Sequence, residues 1–222
     1  MNISDVFNSE NRFFSFMNKL WDVVVLNWLF LLTVVLGIGP AATGLYYAIA
    51  KNIRKGRGYA MKTFFHSFKV NFKQGFIIGI IQAVAAFSVW YTYWFAMSMR
   101  EGETLSQVYF TVWLLFAVLF LFISIYVYPI LSRFNMSTMQ IIKMAFVVSL
   151  RHLPSTLAIA AIFVAEVTLT WVFYPFVLII ALIGCSGYVY IKSLFMEKIL
   201  KRYTPKPAEG EEDSATDAWY LE

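Results

Sequence analysis

A single cysteine in 222 residues can close no intrachain disulfide and build no zinc site alone, and Cys185 lies in an apolar stretch where a thiol is ordinarily a small buried side chain. Histidine is nearly as scarce. His66 and His152 stand far apart in segments that suit solvated interfacial roles, and there is no H-E-x-x-H or Cys/His cluster. No G-x-x-x-x-G-K-S/T phosphate loop is present, and no nucleophile and base stand at matching depth, as hydrolysis inside a membrane would require. These absences point away from an enzyme, a metal and a bound cofactor. Charge is also short. Only 14% of residues are Asp, Glu, Lys or Arg, while 60% are apolar or aromatic, well above the roughly 45–50% of a soluble domain. With a mean hydropathy of +0.66, a water-soluble globule is excluded.

What the chain has instead is apolar runs of membrane length. A span needs about 20 residues, so six would use a little over half the chain and leave only short connections. The runs predict spans at about 21–38, 40–54, 74–99, 107–131, 155–173 and 175–192, the last two from a 37-residue stretch with a tight turn near Tyr174-Pro175. The fold class is therefore all-α: a polytopic membrane protein of about six transmembrane helices arranged as three hairpins, forming a single domain over residues 1–202. The 40–54 segment is the short one and reads as a crossing or a re-entrant loop. Residues 1–20, polar with scattered phenylalanines, fit a short helix on the membrane surface. Residues 203–222 carry the acids of Glu209 to Glu222 and are expected to be a disordered tail.

Positive charge is concentrated between spans. Residues 51–73 hold seven cations, with Phe64, Phe65, Phe68 and Phe72 interleaved, which predicts an amphipathic surface helix at 62–73 lying flat among lipid headgroups. A second is predicted at 137–150. If both termini share one side, 17 of the 18 cations fall on that side and only Arg100 opposite, which the positive-inside rule assigns to the cytoplasm. The partner implied by such a face is the anionic inner leaflet; nucleic acid is not needed to explain it.

Few residues inside the spans can carry chemistry. Glu166 is an acid deep within a predicted span, and a carboxylate there is costly enough to suggest a functional site or an internal partner. No intramembrane lysine or arginine is available as its counter-ion. Asp22 and Asn27 lie near the cytoplasmic end of the first span beside Trp21 and Trp28, and Asn27 suits a hydrogen bond to another helix better than a solute. Gly75, Gly79 and Ala83 form a small-residue ridge on the third span, fit for close packing within the protein or against a partner. The unit of surface helix plus hairpin occurs twice, at 62–131 and 137–195, both copies starting on the same side.

The stretches from Leu26-Asn27 through Gly39-Pro40-Ala41-Ala42, then Leu45-Tyr46-Tyr47, and then Phe64 to Gly75 with its run Phe68-Lys69-Val70-Asn71-Phe72-Lys73-Gln74, resemble the YesL family of bacterial membrane proteins. Arg133-Phe134-Asn135 and Leu150 to Thr156 are similar to a second block of that family, and the likeness covers roughly residues 10–200. The resemblance implies an integral protein of the bacterial cell membrane, often encoded beside carbohydrate ABC importers and sensor kinases. It implies no sugar-specific residue. Two expectations follow. The first is a non-enzymatic accessory or regulatory protein that docks on ABC importer permease subunits, or on a sensor kinase, in oligosaccharide uptake. The alternative is a small stand-alone transporter or channel working through Glu166.

Overall fold

A computed structural model describes residues 12–54, 59–98, 104–172 and 175–204. The described residues are helical throughout. In chain order they form α1 (Arg12–Thr33), α2 (Ile38–Ala48) continued by the π-helical turn Ile49–Arg54, α3 (Ala60–Val70), α4 (Phe72–Ser98), α5 (Thr104–Arg133), α6 (Thr138–Arg151), α7 (Leu153–Val172), α8 (Phe176–Ile179), the π-helical turn Ile180–Gly184 and α9 (Cys185–Leu200). Five helices are long and apolar enough to cross a membrane: Phe16–Thr33, Phe72–Ser98, Leu105–Arg133, Leu153–Val172 and Val177–Leu200. This is an all-helical membrane protein. The sixth predicted span, 40–54, is not among them.

Local chemistry sets several boundaries. Ser137 and Gln140 form a capping box at the start of α6, with the Ser137 amide donating to the Gln140 side chain at 3.0 Å, so two otherwise orphaned amides are satisfied. Pro154 sits in the first turn of α7, where its missing N–H costs nothing. Asn71 separates α3 from α4, and its side-chain amide bonds back to the Ser67 carbonyl at 3.1 Å.

Several expectations need correction. Among the described residues, 12–20 are not a separate surface helix; α1 runs unbroken from Arg12 and ends at Thr33, five residues early, because Gly37 adopts φ 158° and turns the chain ahead of Pro40. The last span does not end at 192 but continues to Leu200, its apolar periodicity carrying Lys192 and Glu197 inside. The helix placed at 62–73 spans Ala60–Val70, and its phenylalanines do not form one lipid face. Phe64 and Phe68 are buried and stacked on each other, while Phe65 and Phe72 are exposed. The Arg100 loop and the acidic tail from Pro205 lie outside the described residues.

The organising element is α2. From Gly39 to Ala50 nearly every residue is buried, as expected of a helix apolar all round. It packs with α1 and α3 through Leu26, Leu45, Ile49, Phe64 and Phe68, and with α5, α6, α7 and α9 through Tyr46, Ile125, Ile141, Ile159 and Met196. Against α4 it makes a backbone-to-backbone crossing at Gly39, Pro40 and Gly75. A methyl group on Gly39 would stand 1.9 Å from the Gly75 carbonyl oxygen, and one on Gly75 2.9 Å from the Pro40 nitrogen. Gly75 and Gly79 of the expected ridge are thus consumed inside the protein, while Ala83 is exposed and takes no part.

In the long helices burial gathers at one end, Ala96 of α4 apart. It covers Gly75 to Gly79 of α4, Phe122 to Leu131 of α5, Thr156 to Ala160 of α7 and Ser186 to Leu200 of α9, and the cations Lys51, Arg54, Arg133 and Lys192 lie at the same end. Beyond it α4 and α5 expose Phe87, Trp90, Trp94, Leu114 and Leu115. Gly39→Ala should lower stability by about 1–3 kcal/mol, since neither backbone can yield, and a lowered thermal unfolding midpoint in detergent is the expected result. Gly187→Ala, with nothing within 4 Å of its added methyl, should be neutral or slightly stabilising.

Candidate functional site

Two cavities and one polar clamp collect the buried polar groups. At the basic end, Glu197 of α9 accepts from the Tyr46 hydroxyl at 2.8 Å and pairs with Arg133 of α5 at 3.3 Å, both charged side chains being largely buried. Arg54 donates to the Ser193 carbonyl at 2.6 Å, tying the π-helical turn after α2 to α9. Removing either member of such a buried pair leaves an uncompensated charge, so the layer holds α2, α5 and α9 in register.

Beside this layer lies a cavity of about 220 Å³ lined by Tyr47, His66, Asn71, Gln74, Arg133 and Asn135 among others. The Gln74 side chain crosses to the Met136 carbonyl at 2.6 Å and so joins α4 to the chain ahead of α6. Asn71, Gln74 and Arg133-Phe134-Asn135, drawn from two stretches 60 residues apart, therefore face one space. Phe68 belongs to the core below it; Lys69, Phe72 and Lys73 are exposed. His152, close by, shares a 3.2 Å hydrogen bond with the Tyr203 hydroxyl, and its pKa is held below the ordinary histidine value by partial burial and by the positive charges of Arg202 and Arg151.

The clamp is Asn27. It is fully buried; its amide nitrogen donates to the Ala181 carbonyl at 2.8 Å and its oxygen accepts from the Ser186 amide at 3.0 Å. A π-helical turn breaks the regular ladder and strands backbone groups, which inside a membrane must find partners in the protein. One side chain of α1 supplies both partners to the turn at 180–184. Asn27 is thus a helix-to-helix bond, as its chemistry suggested, while Asp22 is partly exposed and lines neither cavity.

The second cavity, about 390 Å³, lies between α1, α2, α5, α7 and α9. Glu166 lines it from α7, with its Oε1 next to Gly184, where an added methyl would come within 2.9 Å. Lys192 lines it from α9; it is buried, with its ammonium 5.8 Å from the centre of the Tyr188 ring. The expectation that no intramembrane cation accompanies Glu166 is therefore wrong. Lys192 closes the last predicted span, yet Leu194-Phe195-Met196 and Ile199-Leu200 continue the apolar face past it, a signal visible in the sequence. Tyr46, Arg133 and Glu197 were missed because nothing in the spacing links positions up to 151 residues apart. Among the described residues no group of three His, Cys, Asp or Glu stands close enough to hold a metal ion.

A family described as a protein of unknown function, DUF624, matches residues 23–93. The protein YesL of Bacillus subtilis (strain 168), described as uncharacterised, is 29% identical over 164 residues, covering 72% of this chain and 75% of its own. No solved structure matches. The family match takes in the crossing at Gly39 and Gly75 and the Asn71 and Gln74 wall of the polar cavity, but ends before Arg133 and Glu166.

Asn27→Ala should cost about 1–2 kcal/mol, since two buried backbone groups lose their partners. A fall in the unfolding midpoint with unchanged helicity by circular dichroism is expected; an unchanged midpoint would show the clamp to be dispensable.

Proposed function

We propose that this membrane protein is a non-enzymatic accessory or regulatory subunit of carbohydrate uptake in the bacterial plasma membrane, docking on the permease subunits of an oligosaccharide ABC importer. The observation that carries this reading is the open half of α4 and α5. From Val84 to Trp94 and from Val108 to Phe116 these helices bury almost nothing within the chain and present Phe87, Trp90, Trp94, Leu114 and Leu115 outward. Large aromatic side chains are common anchors of protein contacts, and the Gly75/Gly79 ridge is already occupied. The carbohydrate link rests on the family resemblance.

In this reading the chain crosses six times with both termini in the cytoplasm. Residues 38–54 rise about 25 Å at 1.5 Å per residue, short of a roughly 30 Å hydrocarbon core. Because they are sheathed by other helices, their length need not match the lipid. A crossing there keeps the cations of 51–73 on the same side as the other basic segments.

Affinity purification of the C-terminally tagged protein from native membranes in mild detergent should recover ABC permease subunits at near-stoichiometric yield, and Trp90→Ala with Trp94→Ala should cut that recovery severalfold. Recovery of the protein alone, with transport substrate present, would overturn the proposal. One observation favours the alternative of a small transporter or channel, the buried Lys192 facing the same cavity as Glu166. In that case protein in liposomes should carry solute flux that Glu166→Gln abolishes, and unchanged flux in the variant would remove Glu166 from any transport role.

A further inference from the structure

The cavity between α7 and α9 has two walls of opposite charge. Among the described residues neither the Glu166 carboxylate nor the Lys192 ammonium makes a hydrogen bond or an ion pair, and the ammonium rests only on the face of Tyr188. Several of the neutral polar groups around them are already used. Thr170 donates to the Glu166 backbone carbonyl at 2.7 Å, Ser124 donates to the Phe120 carbonyl at 2.7 Å and accepts from Gln82 at 2.9 Å, and the Tyr128 hydroxyl donates to the Gln82 side chain. The rest of the lining is largely apolar, including Phe30, Leu45, Ile125 and Phe163, with the Cys185 thiol and the Tyr188 hydroxyl as its remaining polar groups. An acid and a base thus stand without partners in a space of about 390 Å³, within the size range of small-molecule sites.

The two groups do not form an ion pair with each other. Glu166 Oε1 lies at Gly184, eight residues from Lys192, a rise of about 12 Å along the helix. The lysine leans back toward the helix start and over Tyr188, about 6 Å of rise from Gly184. A ligand that brings its own cation to Glu166 and its own anion to Lys192 would satisfy both with charge-assisted bonds and leave no net charge in the low-dielectric interior. A neutral hydroxylated solute would meet the same two groups with weaker bonds.

We propose that this cavity binds a small zwitterion whose ammonium faces Glu166 and whose carboxylate or other anionic group faces Lys192. The inference rests on the cavity alone, needs neither an importer partner nor transport activity, and so fails or survives separately from the functional readings above.

The test uses the full-length protein in detergent or nanodiscs, with 4-aminobutyrate and 6-aminohexanoate as probes and butyrate, butylamine, hexanoate and hexylamine as singly charged controls. At least one amino acid should raise the unfolding midpoint saturably while its two singly charged counterparts do not. Glu166→Gln and Lys192→Met should each weaken that binding at least tenfold, and Lys192→Arg should retain most of it. Absence of any shift with both amino acids would overturn the proposal, as would equal shifts with the singly charged controls. Unchanged binding in both charge-removing variants would do the same. If those variants do not fold, the discrimination between zwitterion and single charge by the unmodified protein still decides.

Discussion

Everything in this molecule is arranged around the contact between two glycines. Gly39 and Gly75 let the backbones of α2 and α4 meet without side chains between them, and only that closeness allows a helix of 11 residues to be enclosed by longer ones. Helices in a membrane gain little from hydrophobicity when they associate, because lipid is as apolar as leucine; they gain from close packing and from polar groups that would otherwise lie in hydrocarbon. The crossing supplies the first. Asn27, Glu197 and Gln74 supply the second, each reaching from one helix to a group on another.

The polar bonds are not spread evenly. At the basic end Tyr46, Glu197, Arg133 and Arg54 tie the two ends of the chain together, α2 to α9, in a layer that also seals the inner ends of the long helices. The cavity that Glu166 and Lys192 share starts beside that layer, at Lys192, and beyond it the helices part. The packed end gives rigidity. The open end leaves α4 and α5 with surface for lipid or for another protein's helices. A protein built this way holds a fixed shape at its packed end and offers apolar surface at the other.

How far this was legible in the sequence depends on the range of each signal. The long apolar helices were readable because membrane length is a property of consecutive residues, and four predicted spans match observed helices to within a few residues apart from the late end of the last. The amphipathic segments were also readable as helices, but not what they face. Phe64 and Phe68 looked like lipid anchors and are core, since a phenylalanine face fits a protein groove as well as an acyl-chain boundary. Glu166 was singled out as an acid within an apolar run, and it lines a cavity from α7. Lys192 was overlooked, because a lysine after an apolar run reads as the point where the chain leaves the membrane.

The sequence by itself determined that the chain is helical and membrane-embedded, which segments are apolar enough to cross, on which segments positive charge gathers, and its likeness to the YesL family. Those properties follow from composition and from spacings within one helix. Only the tertiary structure decided that the Gly75/Gly79 ridge faces inward, that Asn27 caps a π-helical turn 154 residues away, and that Glu166 and Lys192 share one cavity. Each of these depends on which helices lie side by side. Lipid rewards every apolar face alike, so the choice of neighbour falls to a few small and polar residues whose partners are set by the three-dimensional arrangement.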